Sequence, residues 1–168
     1  MPQVKIETAQ ATAASVLHKL GTPQDIADQV ATWLLRSNLS GHPSHGIIRL
    51  KDYANRIRRG ELAPDGRPSI RSGAEGGSSV LIDGHRGYGM LAAATLIDIL
   101  VERAHTHNIA LGGIVNAGHT GRLGEWAERA AEKSTILLSQ SPCEARRSPA
   151  GVSTAIPSET IMSMRTLM

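Results

Sequence analysis

The sequence predicts an α/β fold, with an N-terminal helical subdomain followed by a β-α-β-α-β layer. Two observations carry that expectation. Apolar residues recur at helical spacing in three successive segments before Gly60. After residue 78, short aliphatic runs alternate with longer helical patterns, as in strands joined by helical crossovers. The length of 168 residues, 40% of them hydrophobic, allows one ordinary domain or part of a larger one. Aromatics make up 2% and Phe is absent, so the core must be aliphatic.

Residues 7–20 read as an amphipathic helix, with Ala11, Ala14, Val16, Leu17 and Leu20 on its apolar side and Gly21 ending it. A second helix restarts at Thr22-Pro23, with Thr22 as N-cap and Pro23 in the first position. Ile26, Val30, Trp33 and Leu34 follow at helical spacing, and Asp25 and Asp28 favour the first turns. Ser40-Gly41-His42-Pro43 interrupts it. A third helix places Ile47, Leu50, Ala54 and Ile57 on one side until Gly60, with Arg56, Arg58 and Arg59 as a solvated end. Residues 1–60 thus form the helical subdomain and 61–77 a connector rich in Gly, Pro, Arg and Ser. Within 78–140, Ser79–Asp83, Ile109–Val115 and Thr135–Ser139 read as parallel strands, joined by helices over Met90–His107 and Leu123–Lys133. Residues 141–168 read as an irregular tail, weakly extended at Gly151–Pro157.

Composition narrows the function. Scarce aromatics argue against a base-stacking nucleic-acid binder. A net charge of +3 and a pI near 9.4 suit small anions without indicating a DNA or membrane surface. Cys143 stands alone, so there is no internal disulfide, and it lacks an adjacent base that would make it a catalytic thiol. No stretch approaches a membrane span and Met1–Gln10 lacks the apolar centre of a signal peptide, so the expected compartment is the cytoplasm. His42 and His45 have no carboxylate or thiol cluster beside them, and His105 and His107 diverge on a helix. No metal is expected.

Three motifs carry chemistry. In Ser40-Gly41-His42-Pro43-Ser44-His45-Gly46-Ile47-Ile48-Arg49-Leu50, a helix beginning near Pro43 or Ser44 would put His45 and Arg49 on one face. An imidazole exchanges protons near neutral pH, and a guanidinium grips a carboxylate by two hydrogen bonds. That pair suits a small 2-oxo or 2-hydroxy acid, although spacing alone is read more simply as a capped helix start with a solvated arginine. Gly84-His85-Arg86-Gly87-Tyr88-Gly89 follows the first strand. It lacks the spacing of a dinucleotide fingerprint and reads either as a tight turn or as an anion loop. Gly118-His119-Thr120-Gly121-Arg122-Leu123-Gly124 occupies the next strand-to-helix junction. There backbone N–H groups, His119 and Arg122 could meet a ligand at the carboxyl end of the sheet, or the segment is a glycine-rich turn with a surface His and Arg.

Taken together, the motifs resemble the malate/L-lactate dehydrogenases of the second, non-Rossmann type, a family that includes ureidoglycolate, sulfolactate and diketogulonate enzymes. The resemblance rests on Ser44 through Tyr53, on Leu81 through Gly89, and on Val115 through Gly121 followed by Glu125-Trp126-Ala127. It implies a partial three-layer non-Rossmann dehydrogenase fold, with 78–140 as part of a cofactor-binding domain. It also implies hydride transfer between NAD or NADP and a small 2-hydroxy or 2-oxo acid, in a homodimer. By resemblance His45 is the proton donor and acceptor, oriented by Ser44, and Arg49 clamps the substrate carboxylate. His119 stands beside substrate and nicotinamide, with Thr120 and Gly121 contacting the cofactor. The chain departs from the family where Ala117-Gly118-His119-Thr120-Gly121 replaces Ser-Asn-His-Phe-Gly, and in its shorter end. It therefore reads as a truncated member. The alternative is an inactive fragment that keeps a dimerisation or anion-binding surface, and a third reading is a free-standing nucleotide-binding module.

Overall fold

A computed structural model describes residues 4–140 and the backbone of 160–166. Helices α1 (Ile6–Lys19), α2 (Gln24–Leu39) and α3 (Arg49–Arg58) precede strands β1 (Ser69–Ser72) and β2 (Ser79–Asp83). Helix α4 (Gly89–His107), β3 (Ile109–Val115), α5 (Leu123–Ala131), β4 (Thr135–Gln140) and β5 (Thr160–Thr166) complete the order. The α/β architecture expected from the sequence is present.

The small residues Ala13 and Ala14 of α1, with Leu17, pack into the same apolar cluster as Ile26, Ala27, Val30 and Leu34 of α2. Helix α4 is buried along most of its length, through Ala92, Ala93, Leu96, Ile97 and Leu100. It lies close on β3, because a Cβ at Gly112 would meet Leu96 and Leu100. At ~25 cal/mol per Å² of apolar surface, such aliphatic packing is the main stabilising contribution in a chain so poor in aromatics. The core is not purely aliphatic as expected, because all four aromatic rings are buried in the same cluster, at the junctions between elements. Trp33 of α2 and Trp126 of α5 meet edge to face at 5.5 Å. Tyr53 of α3 and Tyr88, just before α4, do the same at 5.4 Å.

Sheet order is β1-β2-β3-β5-β4. Strands β2 and β3 pair in parallel, Val80 opposite Gly112 and Ile82 opposite Ile114, as the alternation predicts. Strand β4 does not lie beside β3. Strand β5 separates them, antiparallel to both. The tail was expected to hold no strand. Thr160–Thr166 forms one because pairing on both edges satisfies its backbone, a source of stability that side-chain patterning does not report. The connector also contains β1, an exposed four-residue edge strand paired antiparallel to β2 alone, with an irregularity between Ile70 and Ser72. Cys143 and Gly151–Pro157 lie outside the described residues. Among the described residues no helix is long and apolar enough to cross a membrane.

Two helix starts differ from expectation. Thr22 does not cap α2. Pro23 takes the cap position, and the buried Thr22 hydroxyl instead lies 2.7 Å from the Tyr88 hydroxyl. Helix α3 begins at Arg49, because Pro43–His45 form a 3-10 turn and Gly46 is extended.

Glycines bring the two strand-to-helix loops together. A Cβ at Gly89 would overlap the Gly118 carbonyl, and one at Gly87 would overlap the Gly66 carbonyl. Gly89→Ala is therefore expected to lower stability by about 1–3 kcal/mol, the usual cost of overpacking. Urea denaturation followed by circular dichroism measures the loss, and an unchanged midpoint would contradict the close approach.

Candidate active site

The turn before α3 is pinned by α2. The Asn38 side-chain carbonyl accepts the Ile47 N–H at 2.8 Å, and a Cβ at Gly46 would overlap that amide. His45 and Arg49 consequently do not share a helical face, as the sequence suggested. Ser44 and His45 belong to the 3-10 turn, and Arg49 opens α3 and reaches back, its Nε–H donating to the Ser44 carbonyl at 2.9 Å. One edge of the guanidinium is thus fixed. Its Nη1 lies 3.9 Å from Asp52, whose carboxylate also faces Arg56 at 3.5 Å. The Ser44 hydroxyl lies 3.0 Å from His45 Nδ1.

Residue His119 arrives from the loop between β3 and α5. Its ring centroid is 5.1 Å from that of His45, so the structure brings together side chains 74 positions apart in the sequence (119 less 45). The buried Tyr53 hydroxyl lies 3.1 Å from His119 Nδ1. His119 Nε2 is buried and without a hydrogen-bond partner among the described residues. The loop is shaped from beneath. The Trp126 indole donates to the Thr120 carbonyl at 2.9 Å, and Gly121 sits at φ 79°, where a Cβ would crowd the Met90 thioether.

Electrostatics keep both imidazoles neutral. Burial, reinforced by Arg49 and His45, lowers the His119 pKa from its ordinary 6.5 to about 4. Burial and then Arg49 lower that of His45. Burial holds the Tyr53 phenol well above its usual range, so it stays protonated. The site therefore offers two neutral imidazoles, a phenol and one oriented guanidinium. Such a set can grip a carboxylate and move a proton to or from an adjacent oxygen.

One expectation fails here. Arg122 does not face a ligand. It is 9% exposed, and its guanidinium pairs with Glu128 at 2.7 and 2.8 Å and with Glu125 at 3.3 Å. Glu125 continues to Arg36 of α2 at 3.1 Å. Of the two readings of Gly84–Gly89, a tight turn or an anion loop, the hydrogen bonds favour the turn. Its Gly84, Arg86 and Gly87 N–H groups donate to the carbonyls of Val115, Asn116 and Gly84. Asp83 accepts the His85 N–H at 2.9 Å, and the His85 ring lies 2.7 Å from Ser69. Asn38 and Tyr53 had no assigned role in the sequence. Tyr53 lies one turn beyond Arg49 and closes the run Ser44–Tyr53 that carries the family resemblance, and these were its signals.

The sequence profile of the malate/L-lactate dehydrogenase family matches residues 4–158. The chain belongs to this family. Hydroxycarboxylate dehydrogenase B of Escherichia coli strain K12 is 34% identical over 132 residues, which are 79% of this chain and 36% of that protein. Malate dehydrogenase of Pyrococcus abyssi is 35% identical over 136 residues, 81% of this chain and 37% of that protein. The solved malate dehydrogenase of Pyrococcus horikoshii OT3 superposes with a TM-score of 0.74 at 33% identity, covering 82% of this chain and 39% of that one. The chain thus spans under two-fifths of the length of these members of the family.

Because folded His119 resists protonation down to about pH 4, the unfolded chain binds the extra proton between pH 6.5 and 4. Stability is then complete above pH 6.5 and falls as pH drops through that window, by up to about 3 kcal/mol. Urea titrations across this range should show the loss, and a His119→Gln variant should show a shallower one. Equal slopes for the two proteins would contradict the buried, neutral imidazole.

Proposed function

We propose that this chain carries the substrate-side groups of a dehydrogenase that interconverts small 2-oxo and 2-hydroxy acids with NAD or NADP. The observation that supports the reading most is the convergence of His45, His119 and the Ser44-anchored Arg49 on one site. The relatives' names point to the same class of reaction, including malate dehydrogenase and hydroxycarboxylate dehydrogenase. The groups present fit the reacting end of such a ligand pair. Arg49 offers its outer guanidinium nitrogens to the carboxylate, and His119 Nε2 is a buried polar atom without a partner among the described residues. In Gly84–Gly89 the N–H groups of Gly84, His85, Arg86 and Gly87 bond within the protein, which takes them out of any cradle for the cofactor's phosphates. Thr120 and Gly121 remain the candidates for contact with the cofactor.

In this reading the nicotinamide, when bound, supplies or accepts the hydride. The protein's own part is to orient and to move a proton. Arg49 fixes the carboxylate and so the face of the adjacent carbon. His45, its Nδ1 held beside the Ser44 hydroxyl, gives a proton to the substrate oxygen in reduction and takes it in oxidation. Its lowered pKa makes it a base at rest, suited to the oxidation direction, and an anionic ligand would raise its readiness to carry the proton. The helical residues 1–60 and the layer 78–140 would form the two sides of this site. A homodimer belongs to the same proposal, tested by sedimentation of the purified chain.

Incubation with NADH or NADPH and a panel of 2-oxo acids, followed by absorbance of the reduced nicotinamide, tests the reading. His45→Ala is expected to lower kcat by about 100- to 10,000-fold. Arg49→Lys, which loses the two-pronged grip, is expected to raise KM about tenfold, or about 1.4 kcal/mol. No turnover and no cofactor binding would overturn the proposal for this chain.

A further inference from the structure

Tyr53 lies outside the residues assigned a role above, yet its hydroxyl is the partner of the site's most buried imidazole. It belongs to α3, its ring is 1% exposed, and its oxygen is 3.1 Å from His119 Nδ1. Two arrangements of protons fit that distance. If the phenol accepted an Nδ1–H, its own O–H would be left without a partner among the described residues, as would the His119 Nε2 lone pair. Two buried polar groups would then be unsatisfied. If the phenol donates to Nδ1, its O–H is satisfied and the imidazole hydrogen moves to Nε2. Only one group is then left over. Each unsatisfied buried donor or acceptor costs on the order of the desolvation of that group, so the second arrangement wins.

The phenol has no means to accept a charge in exchange. Burial keeps it protonated, and burial likewise keeps His119 neutral near pH 7, so the two groups share hydrogens without exchanging an ion. The hydroxyl is itself held by its ring. Tyr53 packs edge to face on Tyr88, whose own hydroxyl is 2.7 Å from buried Thr22. The orientation of the Tyr53 oxygen is thus set by packing from two elements that do not include the His119 loop.

We propose that Tyr53 is a positioning residue that holds His119 in its Nε2–H tautomer, so that the neutral imidazole presents the site with a hydrogen-bond donor. A donor there recognises an oxygen and disfavours a ligand that offers an N–H at the same place. In the hydride-transfer reading, on which the value of that donor rests, the oxygen is the one bonded to the reacting carbon, where negative charge grows as the carbonyl is reduced. His45 would move the proton while His119 polarises the same oxygen without exchanging one. A neutral imidazole can do this because its N–H donates while the ring stays uncharged.

Long-range nitrogen–proton correlation spectra of the uniformly ¹⁵N-labelled full chain near pH 7 report the tautomer of each imidazole. The His119 signals are identified by their loss in His119→Gln. The expected pattern is a single Nε2–H tautomer for His119 in the wild-type chain. In Tyr53→Phe the lost donor should convert it to a mixture with Nδ1–H, while the circular dichroism spectrum stays unchanged. An Nδ1–H pattern in the wild type overturns the proposal, and so does a pure Nε2–H pattern in a folded Tyr53→Phe. Should that variant fail to fold, the wild-type pattern alone decides. The measurement uses neither substrate nor cofactor, so a failure of dehydrogenase activity and a failure of the tautomer assignment are separate results.

Discussion

The seating of α3 against the two strand-to-helix loops is the constraint on which the rest of the structure depends, and one buried phenol sets it. Tyr53 touches the Tyr88 ring ahead of α4 and the His119 imidazole after β3, while its own helix begins at Arg49. Through Tyr88 the line continues to Thr22 at the entry to α2. Helical and sheet halves are thereby registered by polar contacts in the interior, where a lost partner costs about 1–3 kcal/mol. Aliphatic packing gives the halves cohesion. Directional bonds decide how they face each other.

That division of labour explains what was legible in the sequence. Ser79–Asp83 and Ile109–Val115 were readable to the residue because they are short aliphatic runs flanked by turn-forming residues, Gly84 after the first and Asn108 and Asn116 around the second. The long Ala- and Leu-rich stretch of α4 was equally plain. What escaped depends on the backbone or on partners distant in the chain. Strand β5 is stabilised by ladders on both sides, not by alternation. The turn at His45 is dictated by Asn38, and no helical periodicity within Pro43–Leu50 records it. Arg122 looked like a ligand-facing cation beside a glycine loop, but Glu125 and Glu128 three and six positions on were its partners all along.

The site shows the same pattern. His45, Arg49 and His119 took their roles from the family resemblance, with motif spacing and a strand-to-helix junction as local support, and the fold places the two histidines ring to ring. The reason first given for pairing His45 with Arg49, a shared helical face, is replaced by a tighter one. The guanidinium is tied to the Ser44 carbonyl, so the residue before His45 fixes the group after it. The glycines, by contrast, serve protein–protein closeness within the chain. Gly87 and Gly89 admit the backbone of Gly66 and Gly118, so the His119 loop lies against the start of α4.

The position of β5 has a consequence for how the sheet comes together. Strands β2 and β3, with α4 between them, form one continuous local unit. Strand β4 follows soon after β3 in the chain but has no ladder to join until β5 arrives between them. Closing that gap pairs β3 and β4 with a strand later in the chain before its contacts are gained, which is the slow kind of step in chain folding. The β1–β2–β3 edge is thus the early, self-sufficient part of the sheet. The β4 edge is cooperative with β5, so the two are expected to open and close to hydrogen exchange as one unit.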